Sequence, residues 1–190
     1  MIKIIIQHGK LLEPFFNFYV QNSPDVKDVG WKEWTPSDKV KVEHRIQTYK
    51  NIWAKYEDKI LTGICSAFNL SFKRDFDVFI VAGINRSISR PLIISSHHSP
   101  NNFVVTLSHE LIHRIFDDTD FKFDKILLVK GENRVINNHI LIYAALRKIF
   151  EDEPEILGAV SDIKYQEDYK KAYKISQPYE EILKYFRENK

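Results

Sequence analysis

Apolar residues recur along this chain in different rhythms, and each change of rhythm marks an element. "IKIII" near the start is a short unbroken apolar run, which predicts a buried strand. "EPFFNFYVQN" follows, and Pro14 near its first turn predicts a short aromatic helix. Gln21 to Thr35, with Pro24, Gly30, Trp31 and Trp34, predicts a loop. From Pro36 to about Leu70 the rhythm becomes helical. Val42, Ile46, Tyr49, Trp53, Tyr56, Ile60, Ile64 and Phe68 are spaced by threes and fours, which predicts one long amphipathic helix, or two nearly collinear ones broken near Gly63. "FDVFIVAG" and "RPLIISS" are short β-rich runs joined by "INRSIS", and the continuous apolar character predicts that at least the first is buried on both faces.

"SPNNFVVTLSHELIHRIF" opens with a helix-start signal, Ser99 as N-cap and Pro100 at the first helical position. Val104, Val105, Leu107, Leu111, Ile112, Ile115 and Phe116 leave little of its circumference polar, so this helix belongs in the centre of the fold. The acidic "DDTD" ends it, "FKFDKILLVKG" fits no single period, and a further helix is predicted from about Glu132 to Phe150. The tail reads as helices with Pro154 and Pro178 near their starts. The elements together predict a mainly helical α+β fold. It has a small sheet, a long helix, a central motif helix, a following helix that carries a further ligand, and a helical C-terminal tail.

Composition narrows the classes of function. The chain has 190 residues, 44% of them hydrophobic, enough to build a core, and no repeat or Gly/Ser linker divides it, so one domain over residues 1–190 is expected. The 28 basic and 26 acidic residues are interspersed, which leaves no basic stripe for nucleic acid. The lone Cys65 excludes an intrachain disulfide and a Cys-rich metal site. No window reads as a secretion signal or a membrane span, so a cytoplasmic protein without a membrane partner is expected.

Chemistry concentrates in "HELIH". In a helix His109 and His113, four apart, lie on one face and can aim imidazole nitrogens at one point about 2 Å from each, the distance zinc requires. Glu110 is turned about 100° from His109, beside such an ion without binding it. Two histidines and a carboxylate on an otherwise apolar helix need several polar partners, and one zinc ion with its water answers all three.

Through "HELIH" at His109, Glu110 and His113 the chain resembles the zincin metallopeptidases, loosely over residues 36 to 143. The resemblance implies one Zn²⁺, a peptide or protein substrate, and Glu110 as the general base on zinc-activated water. It also implies that the strand "RPLIISS" borders the cleft, with His97 and His98 beside it. For the third ligand the residues leave alternatives. His139 lies on the apolar stripe of the next helix with Val135, Ile136 and Tyr143 a turn away, where an isolated imidazole is costly. Glu132, two turns before it on the same face, has a separation from "HELIH" that resembles the glutamate-type zincins, although "KGENR" lacks their Asn-Glu pattern. Asp117, Asp118 and Asp120 suit an aspartate-type site. The longer metzincin pattern fails, because Phe116 and Thr119 stand where its glycine and third histidine belong.

Tyr143 and Tyr179 are candidate donors to an oxyanion. Two other readings compete. Peptide deformylases also carry this motif, but resemble Glu-Gly-Cys-Leu-Ser where this chain has "TGICS", and Cys65 falls in a helical pattern. A mostly helical, non-catalytic zinc-binding scaffold would close the site with a fourth ligand.

Overall fold

A computed structural model of the chain describes residues 2–15, 36–82, 84, 87–119, 128–162 and 167–190. The expected aromatic helix after Pro14, the loop with Trp31 and Trp34, and most of "FKFDKILLVKG" lie largely or wholly outside them. The described elements are strand β1 (Ile4–His8), helix α1 (Pro36–Phe68), strands β2 (Phe76–Val81) and β3 (Leu92–Ser95), then helices α2 (Pro100–Asp117), α3 (Arg134–Ile149), α4 (Pro154–Asp162), α5 (Glu167–Ile175) and α6 (Tyr179–Asn189). The fold is mainly helical α+β, as the sequence predicts.

Two compact units divide the chain: Met1–Lys55 with Lys73–Glu110, and Tyr56–Phe72 with Leu111–Lys190. The first holds the sheet, whose three strands run parallel in the order β1-β2-β3, with Ile4 opposite Phe76 and Val78 opposite Leu92. Burial corrects two expectations. β1 is an edge strand with Ile6 buried and Ile5 46% exposed, so it is covered on one face only. β2 exposes Asp77, and it is β3, all four residues buried, that is covered on both faces. Apolar runs alone do not tell a strand covered on one face from one covered on both, because burial of a strand's second face depends on what the rest of the chain lays over it. Beside the sheet, the Tyr49 ring of α1 stacks on Phe103 of α2 with centroids 3.9 Å apart. Its hydroxyl donates to the carbonyl of His98 at 2.8 Å and reaches that of Ser95 at 3.3 Å. These bonds tie the turn between β3 and α2 to the long helix.

The elements described in the second unit are all helices. Phe68 of α1, Phe116 of α2 and Phe186 of α6 form an edge-to-face trio with centroids 4.6 to 5.7 Å apart, the geometry that ring quadrupoles favour. α1 is continuous through Gly63. It ends where Asn69 turns left-handed at φ 49° and the Leu70 N–H donates back to Cys65 O. Gly63 serves packing rather than bending, since a Cβ there would lie 2.7 Å from Cγ1 of Ile149 on α3.

Candidate metal centre

Helix α2 begins as its sequence dictates. The Ser99 hydroxyl accepts from the Asn102 N–H at 3.2 Å, and Phe103 N–H donates to Ser99 O at 2.8 Å, which starts the helix one residue before Pro100. From Phe103 to Phe116 nearly every side chain is buried, among them His109, 7% exposed, and Glu110, 9% exposed. α3 is capped by Asn133, whose side chain accepts from Ile136 N–H at 2.9 Å. Further along the same helix His139 is buried, 6% exposed.

The ligand nitrogens of His109, His113 and His139 lie within 4.8 Å of one another, a cluster that can hold a metal ion. The rings of His113 and His139 are 5.5 Å apart and inclined at 70°, so the two imidazoles converge rather than stack. Nδ1 of His139 donates to the Val135 carbonyl one turn back, at 2.7 Å. That bond directs the ligand lone pair onto Nε2, the usual way a metal-binding histidine is oriented. Burial, and then the neighbouring His139, push the His113 imidazole down to about 4, which keeps it neutral and able to ligate at ordinary pH. Nitrogens on a tetrahedral zinc at about 2.05 Å would stand roughly 3.3 Å apart, within the 4.8 Å that bounds the cluster. The donor set is all imidazole, which suits zinc better than magnesium or calcium.

The other candidates lie elsewhere. Glu132 pairs with Lys171 at 2.6 Å and lines an open cavity of about 620 Å³ with Asn133, Asp168, Lys170 and Lys174. It does not join the cluster. Asp117 and Asp118 stand 3.5 and 3.4 Å from Arg114 on their own helix, and Asp120 is outside the described residues. Cys65 is in α1, also outside the cluster. His97 is exposed, its N–H donating to Ser95 Oγ at 3.1 Å. His98 is half-buried, its Nε2 has no hydrogen-bond partner among the described residues, and burial with the nearby His97 pushes it down to about 4. Tyr143 is fully buried, and burial followed by Tyr169 and Tyr173 raises its phenol well above the usual range. Tyr179 donates to Glu151 at 3.0 Å.

Around His139 the structure sets Tyr143, which the sequence singled out, together with Tyr169, Tyr173 and Arg147, which it did not. Tyr169 of α5 lies 4.3 Å from it, ring centre to ring centre, and Tyr143 lies 6.1 Å away. Tyr173 meets Tyr143 edge to face at 5.3 Å, with the Arg147 guanidinium 4.0 Å over its own ring. The available signal was the i, i+4 pair of tyrosines on α5, which marks one helix face but not what that face meets. No family model, curated protein or solved structure matches the chain.

Proposed function

We propose that the protein is a zinc-dependent metallopeptidase whose metal is held by His109, His113 and His139, with Glu110 as general base. The observation that carries this reading is the meeting of His139, from a separate helix, with the two histidines of "HELIH". A third nitrogen ligand is what distinguishes a metal site from a pair of histidines satisfied one by one. Three protein ligands also leave one position of a tetrahedral ion for chemistry.

When bound, the ion supplies a Lewis acid that polarises the scissile carbonyl and brings the pKa of water towards about 7. The chain's own residues do the rest. His109 and His113 share one rigid helix face, and Val135 O with the Nδ1–H of His139 sets the third imidazole. Glu110, next to His109 and buried, accepts the proton from the attacking water and returns it to the departing amine. A carboxylate one residue from a ligand is close enough to act and turned too far to coordinate.

Burial of His109, Glu110 and His139, and a described cavity lined by none of them, favour a second reading in which the ion is structural and the protein is a scaffold. One set of variants separates the two. Metal-stripped protein, reloaded with zinc and dialysed, should hold one ion per chain; His139→Ala should hold far less, and Glu132→Ala as much as the wild type. No stoichiometric zinc in the wild type would refute both readings. Glu110→Gln should retain zinc and lose hydrolysis of a peptide library by roughly 10²- to 10⁴-fold, the usual worth of a general base. No turnover by zinc-loaded wild type would leave the scaffold.

A further inference from the structure

For His139 to ligate, Nε2 must face the ion, and the hydrogen bond from its Nδ1 to the Val135 carbonyl fixes the tautomer that permits this. The plane of the ring matters as well, since a rotation would swing Nε2 off the line to the metal. Tyr169 packs against that ring. Its ring centre is 4.3 Å from that of His139, with the planes inclined at 57°, close enough to block rotation of the imidazole.

The helix that presents Tyr169 is clamped to α3 near both ends. At its start, the Asn133 side-chain amide donates to Asp168 at 3.0 Å and Lys171 pairs with Glu132 at 2.6 Å. Towards its end, Arg147 donates to Ser176 Oγ at 3.1 Å and to the Tyr173 carbonyl at 3.3 Å, while its guanidinium covers the Tyr173 ring. Ala172 is buried on the same face, where a small residue lets the two helices approach.

We propose that Tyr169 is a positioning residue of the metal centre, its ring fixing the plane of the His139 imidazole so that Nε2 faces the ion. The proposal rests on the zinc-site reading above. It assigns the effect to ring contact rather than to the phenol hydroxyl, so phenylalanine should replace tyrosine here and an aliphatic residue should not.

Titration of the metal-free full-length chain with Co²⁺, followed by Zn²⁺ competition, tests this with both an affinity and a ligand-field spectrum. Wild type should bind one Co²⁺ per chain with the intense visible bands of a tetrahedral site; if it binds none, the zinc-site reading itself falls. Given wild-type binding, Tyr169→Phe should stay within about twofold. Tyr169→Leu should weaken binding by about 10- to 100-fold, as loss of an orienting contact does, and should shift the visible bands. Tyr169→Met, which keeps bulk without a ring, gives the same comparison should the leucine variant not fold. Unchanged affinity and spectrum in the aliphatic variants would overturn the proposal, as would a Tyr169→Phe variant as weak as they are. Tyr173→Leu makes the same change on the same helix, at a ring that meets Tyr143 and Arg147; equal weakening there would show a loosened helix instead of a lost contact, and would also overturn it.

Discussion

Replacing Gly63 by alanine sets two effects of opposite sign against each other. In a helix interior alanine is favoured over glycine by about 1 kcal/mol, because it restricts the unfolded chain and shields the backbone. Position 63 lies in the interior of α1, a helix of 33 residues, so that gain applies in full. Against it stands the side chain of Ile149. The added methyl would lie 2.7 Å from Cγ1, with Cδ1 at 3.5 Å and Cβ at 3.6 Å, whereas carbon atoms pack at about 3.5–4.0 Å. Cγ1 is next to the backbone rather than at a flexible end, and Ile149 is 4% exposed, so it cannot swing away into solvent. Relief requires an off-rotamer isoleucine or a shift of α3 by about 1 Å, and overpacking of this kind costs about 1–3 kcal/mol. The Cγ1 contact alone lies inside the packing limit, the other two being ordinary, but it is close and Cγ1 cannot move away, so the upper part of that range applies and leaves a net loss of about 1–2 kcal/mol. Urea unfolding should show a lower midpoint with an unchanged slope, and Tm should fall by roughly 2–4 °C per kcal/mol for a chain of this size. Ile149→Ala alone should cost about 2–5 kcal/mol. The double variant should be more stable than the sum of the two by at least about 1 kcal/mol, since Ile149→Ala removes the clash and the new methyl fills part of the space it leaves. A Gly63→Ala protein more stable than wild type, or strictly additive variants, would refute the packing argument.

Two further outcomes are expected. His98 has its pKa lowered from 6.5 to about 4 by burial and His97, so below 6.5 the unfolded chain takes up a proton that the folded chain refuses. Stability attributable to this group is therefore intact above pH 6.5 and falls as pH drops to 4, by up to about 3 kcal/mol. Urea midpoints at pH 7 and pH 4.5 should differ less in His98→Gln than in wild type, and equal differences would show that the imidazole is not shielded as described. Metal addition should also stabilise the fold: zinc at about a thousand times its Kd contributes about 4 kcal/mol, removable by chelator, and a Tm in His139→Ala that still rises as far on adding zinc would place the ion elsewhere.

Much of this molecule is legible in the chain by itself, for one physical reason: contacts within an element leave a period in the sequence. The three-and-four spacing from Val42 to Phe68 gave α1, Ser99 with Pro100 gave the start of α2, and the four-residue step from His109 to His113 put two imidazoles on one helix face. Contacts between elements leave no such period. The parallel order β1-β2-β3, and the covering of both faces of β3 but of one face of β1, depend on contacts between distant segments, whereas in the sequence all three are short apolar-rich runs. The spacing of Glu132 and His139 suggests one helix face, but the helix starts after the Asn133 cap, so Glu132 lies outside it and pairs with Lys171 while His139, within it, joins the cluster. The contact of Tyr169 with His139 is further still from local reading, because it depends on α5 docking against α3. Local spacing determined which groups could act together within a helix, and tertiary packing, where burial and charge pairing across distant segments are resolved, decided which of them meet.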